Sequence, residues 1–163
     1  MRYVLRHKRN RRRVLENYQR ELTTVEVDGD LYYAYINDQN QVEAGCVEHP
    51  SWHMILAEGK ARSHYGRLCL GEERGALFLL YDCFESMQNR YLLGVLYFFP
   101  TRQEKIICTS SHGKLHYAAF GLDKKQYLCV SARDARGEEV IRLFRREKRD
   151  FVPVGPVTVR YQT

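Results

Sequence analysis

A mainly β fold, an antiparallel barrel or sandwich of about ten strands with an N-terminal amphipathic helix or basic arm, is the class this sequence predicts. Three observations lead there. From Thr23 onward, stretches rich in β-branched and aromatic residues alternate apolar with polar side chains at a period of two. Clusters of Gly, Asp and Asn punctuate these stretches at intervals of about eight to twelve residues, the spacing of hairpin-linked strands. Helical period appears near the N-terminus, in VLENYQREL.

The chain opens with RHKRNRRR at residues 6–13, which places six cations in eight positions. Val14, Leu15, Tyr18 and Leu22 then form one apolar stripe at helical spacing, and Asn10 is a fitting N-cap, so a helix is expected over Arg11–Leu22. Three arginines in its first turn oppose the helix dipole, a conflict that a bound phosphate or fraying would relieve. Tyr3, Leu5 and His7 alternate with Arg2, Val4 and Arg6, so a short strand is the other reading of the first residues.

The strands expected next are TTVEV, LYYAYI, QVEAGCV, GRLCL, ALFLLYDCF, YLLGVLYFF, KIICTS, KLHYAAF, QYLCVSA, EVIRLF and PVTVRY. Turns are expected at Asp28–Asp30, Asn37–Asn40, Glu72–Gly75, His112–Gly113, Gly121–Lys125 and Asp134–Gly137. Glu48–Tyr65 is longer and less regular, the place for a helical turn or a functional loop. Without a repeat or a linker, residues 1–163 read as one domain, with 1–22 as basic arm or helix and 23–163 as β body.

The longest apolar run, Tyr91–Pro100, is about half of the roughly 20 residues that a spanning helix needs. The basic start leads into Val14-Leu15-Glu16-Asn17 rather than into the apolar stretch of a secretory signal, so a cytoplasmic or nuclear location is expected. The five cysteines form no CxxC pair and read as reduced thiols, several of them core residues.

Charge is unevenly spread. Residues 1–13 carry seven of the 26 cations and no acid, which leaves 19 cations against 20 acids in the rest of the chain. Six of the seven are Arg, whose planar fork of donors suits phosphate better than an ammonium does. Arg6, Lys8, Arg9, Arg11, Arg12 and Arg13 are therefore the expected phosphate contacts. Arg145, Arg146 and Arg149, in the weaker cluster RLFRREKR, would extend the same surface if the fold joins the two. Tyr32, Tyr33 and Tyr35, and likewise Tyr97, Phe98 and Phe99, cannot all face one core because neighbours in a strand alternate sides. Rings left outside would offer a stacking platform for bases or a protein-binding patch, unless a further layer covers both faces.

Two constellations point elsewhere. Cys46, His49 and His53, with His64 further on, combine thiol and imidazole at spacings that suit zinc, although the paired CxxC halves of a zinc motif are missing. His112, Lys114 and His116 cluster at a turn and strand start, as acid, base and charge stabiliser for phosphodiester cleavage, with no carboxylate assigned to orient either ring. The P-loop, dinucleotide-binding, HExxH and GxSxG signatures are absent from the sequence.

GKLHYAAFGLDKKQYLCVSARDA resembles the opening hairpin of synaptotagmin-type sandwiches, and YLCVSARDARGEEVIRLF is similar to a hairpin of the tubby-like barrel family. Two unrelated families fit overlapping residues, so the shared feature is a generic hairpin and no family is assigned. The function expected is a non-enzymatic accessory protein that binds nucleic acid, RNA more than DNA. A protein-binding adaptor or inhibitor that docks on an acidic partner is the alternative, and a metal- or His-dependent hydrolase the third reading. No cofactor is expected apart from zinc under the metal reading.

Overall fold

The computed structural model describes residues 20–57 and 63–155, and the regular elements among them are all strands. In chain order these are β1 (Arg20–Val27), β2 (Asp30–Ile36), β3 (Val42–Cys46), β4 (His53–Ala57), β5 (Ser63–Glu73), β6 (Ala76–Glu85), β7 (Arg90–Phe99), β8 (Gln103–Ser110), β9 (His116–Leu122), β10 (Lys125–Arg133), β11 (Glu139–Glu147) and β12 (Asp150–Val154). They make three four-stranded sheets, an N-terminal one (β1–β4), a central one (β5–β8) and a C-terminal one (β9–β12). Each is a meander in which every strand pairs antiparallel with the next in sequence.

Turn chemistry sets this connectivity. Asp28 and Gly29 both have positive φ, 51° and 85°, and Arg74 and Gly75 repeat the pattern at 50° and 82°. Two consecutive left-handed residues match the twist of the flanking strands, which is why Asp-Gly and X-Gly pairs close such hairpins.

The central sheet is covered on both faces. Leu77, Leu79, Tyr81 and Cys83 of β6 join Ala34, Ile36, Val42 and Leu56 of the N-terminal sheet in one core. Ala76, Phe78 and Leu80, with Leu93, Val95 and Tyr97 of β7, join Tyr117, Leu128, Val130 and Phe144 of the C-terminal sheet in a second. Alternation along one strand thus feeds two cores, and ALFLLYDCF and YLLGVLYFF read as unbroken apolar runs because both of their faces are dry. The aromatic triplet divides accordingly, with Phe98 in the first core, Tyr97 in the second and Phe99 exposed.

Inside the central sheet, large rings lie across glycines. Gly94 faces Tyr81 in register, and a Cβ added at Gly94 would stand 2.6 Å from the tyrosine Cζ and hydroxyl. Tyr81 is buried and its hydroxyl donates to Glu104, so the ring cannot swing aside freely. Gly94→Ala is expected to cost about 1–3 kcal/mol through overpacking, read as a lower urea midpoint with unchanged m.

Several expectations need correction. The sheets stack in layers, and among the described residues none closes into a barrel. The helix expected over Arg11–Leu22 fails at its C-terminal end, where Arg20–Leu22 begin β1 and Arg20 pairs with Ile36 of β2 ahead of a bulge; Arg11–Gln19 lie outside the described residues. Partnership with Tyr32–Ile36 overrides the local helical stripe, as tertiary pairing commonly does. The irregular segment Glu48–Tyr65 contains β4 and the first residues of β5. PVTVRY falls outside the described residues, and DFVPV is the last strand among those described. No described helix is long and apolar enough to cross a membrane.

Candidate nucleic-acid interface

The C-terminal sheet packs one face on the central sheet and, among the described residues, leaves the other open. Leu128, Val130 and Phe144 point inward, so the residues between them point out. Register then assembles rows across the open face. Phe120, Tyr127, Arg145 and Val152 stand opposite one another on β9, β10, β11 and β12. Ala118, Cys129, Leu143 and Val154 form the next row, and His116, Ser131 and Ile141 the one after.

Phe120 and Tyr127 stack, with ring centroids 5.5 Å apart and planes 15° from parallel. Phe120 is 42% exposed, Leu122 57% and Val152 36%, all on the edge strands β9 and β12. Cations border the rings. Lys125 pairs with Leu122 at the hairpin end, and Arg145 follows Tyr127 in the aromatic row. The Arg145 guanidinium bonds Glu147, by Nε at 3.1 Å, and that hydrogen bond and charge push its pKa above the usual arginine value. Arg149 instead lies against the Tyr97 ring of the second core, 4.9 Å from its centroid.

Arg146 takes no part in this surface, contrary to expectation. Its neighbours in β11 alternate sides, so it points inward, and its side chain is 4% exposed. Its guanidinium donates to Glu73, to Tyr97 and, at 2.7 Å, to Gln126, and sits 4.3 Å from the centroid of Phe78. Burial raises the Tyr97 pKa, and the Arg146 charge opposes that rise. The residue ties the C-terminal sheet to the central one. Arg6, Lys8, Arg9, Arg11, Arg12 and Arg13 lie outside the described residues.

The four expected metal ligands separate into three places. Cys46 faces inward opposite Tyr32, and His49, in the turn that follows, reaches Asp30 at 3.0 Å. His53 pairs with Gly45, one position from Cys46 and hence on the opposite face, where its Nε2 meets Glu43 at 3.2 Å. There Glu43 also accepts from Tyr35 and, at 2.8 Å, from Asn37. Burial disfavours the Glu43 carboxylate, but those hydrogen bonds and the nearby His53 outweigh it and hold the pKa below the usual value. His64 lies in β5, opposite Phe84.

Of the second constellation, His116 takes the outer face opposite Ser131, and Lys114 and His112 precede it. A carboxylate that sequence reasoning missed is Asp82, buried in β6 within the electrostatic reach of Lys114 and His116. It accepts the Arg67 amide at 2.6 Å, at the bulge where β5 slips against β6. An aspartate inside YDCF, in a run of buried apolar residues, was the available signal.

No protein-family model matches the chain, and no curated protein matches it.

Proposed function

We propose that the chain is a non-enzymatic binding protein for single-stranded nucleic acid, RNA more than DNA. Bases would stack on the open face of the C-terminal sheet, and the Arg-rich run at residues 6–13 would hold phosphates. The observation that carries this reading is the stacking of exposed Phe120 on half-buried Tyr127, in register with Arg145. Unpaired bases offer π faces that such rings accept without regard to sequence, and flanking cations neutralise the backbone. A second reading rests on the same face. Leu122, Leu143, Ile141 and Val152 add aliphatic surface, which favours a protein partner, one with acidic residues facing Lys125 and Arg145.

The two separate in a salt series on single-stranded RNA, single-stranded DNA and duplex DNA. For the full chain, log affinity for single strands is expected to fall with log salt at a slope of about −0.7 per phosphate neutralised. Phe120→Ala should weaken binding roughly 5- to 150-fold, the worth of one base stack, at an unchanged slope. A chain lacking residues 1–13 should show a much shallower slope. If the full chain fails to bind any of the three near physiological salt, the nucleic-acid reading falls and the acidic-protein reading replaces it.

A further inference from the structure

We propose that Asp30, Cys46 and His49, completed by a water molecule, bind one zinc ion at the end of the N-terminal sheet where β2 begins and β3 stops. This site is separate from the open face of the C-terminal sheet and independent of the reading given for it.

Its first support is convergence. One ligand atom from each of Asp30, Cys46 and His49 lies within 4.8 Å of the other two. Zinc bonds of 2.0–2.3 Å in tetrahedral geometry place ligand atoms roughly 3.3–3.8 Å apart, so closure needs side-chain adjustments of about an ångström. The Asp30 Oδ2 to His49 Nε2 separation is already 3.0 Å. A water molecule would take the fourth position, since Glu48 Oε2, which accepts from the Cys46 thiol at 3.9 Å, lies outside the converging group.

The second support is the shell behind the ligands. Burial raises the Cys46 pKa, and the backbone amides of His49 and Glu48, which face the sulfur, oppose that rise only in part. The Leu31 amide donates to Glu48 Oε2 at 2.7 Å and orients that carboxylate. The loop is braced as well. Trp52 N donates to His49 O at 2.9 Å, Cys46 N to Trp52 O at 3.2 Å and Val47 N to Leu31 O at 2.9 Å. The Trp52 ring packs edge-on against Tyr32, 5.1 Å away.

The bland account makes Cys46 a core thiol and Asp30–His49 a surface pair. It does not account for a thiol, an imidazole and a carboxylate converging within 4.8 Å at one strand end. A divalent ion would join all three, with the Cys46 proton released to solvent as the thiolate coordinates. Sulfur, imidazole and carboxylate together select a borderline metal over magnesium or calcium.

The test is a cobalt titration of the purified full chain after chelator treatment, followed by displacement with zinc. A cobalt–thiolate charge-transfer band saturating at one equivalent and abolished by added zinc is expected. Cys46→Ser should remove the band. His49→Ala, at an exposed position that leaves packing intact, should weaken cobalt binding at least about 100-fold. His53→Ala and His64→Ala should bind like the parent chain. Absence of the band in the folded parent, its survival in Cys46→Ser, or equal weakening by His53→Ala would each overturn the site.

Discussion

Arg146→Ala is expected to lower the stability of the protein by about 3 kcal/mol, the combined loss of hydrogen bonds to charged partners, a cation–π contact and buried methylene packing. Arg146 bridges two layers, and its loss leaves the Tyr97 hydroxyl buried without its donor. Glu73 is 31% exposed and can turn to water, which keeps the cost below that of stranding a fully buried charge. Arg146→Lys should recover less than half, because an ammonium cannot reach Glu73, Gln126 and Tyr97 in one plane. Urea unfolding reads the effect. A lower midpoint with unchanged m means that the layers still unfold together, and a smaller m with two phases means that the C-terminal sheet has come loose. The same variant separates an internal cation from a surface one. Under folded conditions it should leave the salt slope of nucleic-acid binding unchanged, and a slope shallower by about 0.7 would show that Arg146 contacts phosphate after all.

Arg146 also shows where sequence reading stops. In RLFRREKR it is indistinguishable from Arg145, and only the pairing of β11 with β10 sends one outward and the other into the core. Strands and hairpins were legible because period-two alternation and Asp-Gly or X-Gly turns are local properties, visible in TTVEV, LYYAYI and the glycines at 29 and 75. Layering was not. ALFLLYDCF states that both faces are dry without saying what covers them, and that depends on contacts with residues far away in the chain. His53 failed as a ligand for the opposite reason. Its spacing from Cys46 suited zinc, but β4 pairs so that His53 and Gly45 share one face while Cys46 takes the other. Asp30 was invisible as a partner of His49 because 19 residues separate them and only the β2–β3 pairing closes that distance.

Asp82→Ala should cost about 2–4 kcal/mol, since the Arg67 amide at the β5 bulge then loses its acceptor and the site keeps a void. The bulge in turn carries a clasp between layers. Tyr117 donates to Arg67 O at 2.9 Å, and Arg67 Nη1 donates to Tyr117 O at 3.1 Å. Asp82→Asn is the sharper probe. Its amide oxygen can accept the same hydrogen bond, but it never ionises. Burial raises the Asp82 pKa above its ordinary value of 3.8, and the Arg67 hydrogen bond and the positive charge of Lys114 and His116 offset that only in part. The folded protein therefore holds the proton more tightly than the unfolded chain does. The stability this contributes is full below the ordinary carboxyl value and is lost as pH rises through the raised one. Subtracting the Asp82→Asn curve from the parent curve cancels the titrating groups that do not couple to Asp82, so urea unfolding of both from pH 3 to pH 8 reads this carboxyl together with its coupling to His116. The parent should lose stability relative to Asp82→Asn as pH climbs, then run parallel to it. A gap that stays constant, or closes in the parent's favour at high pH, would mean that Asp82 ionises in the fold as easily as in water. Its grip on the bulge would then be that of a charged carboxylate, and Asp82→Asn would weaken the clasp at neutral pH instead of strengthening it.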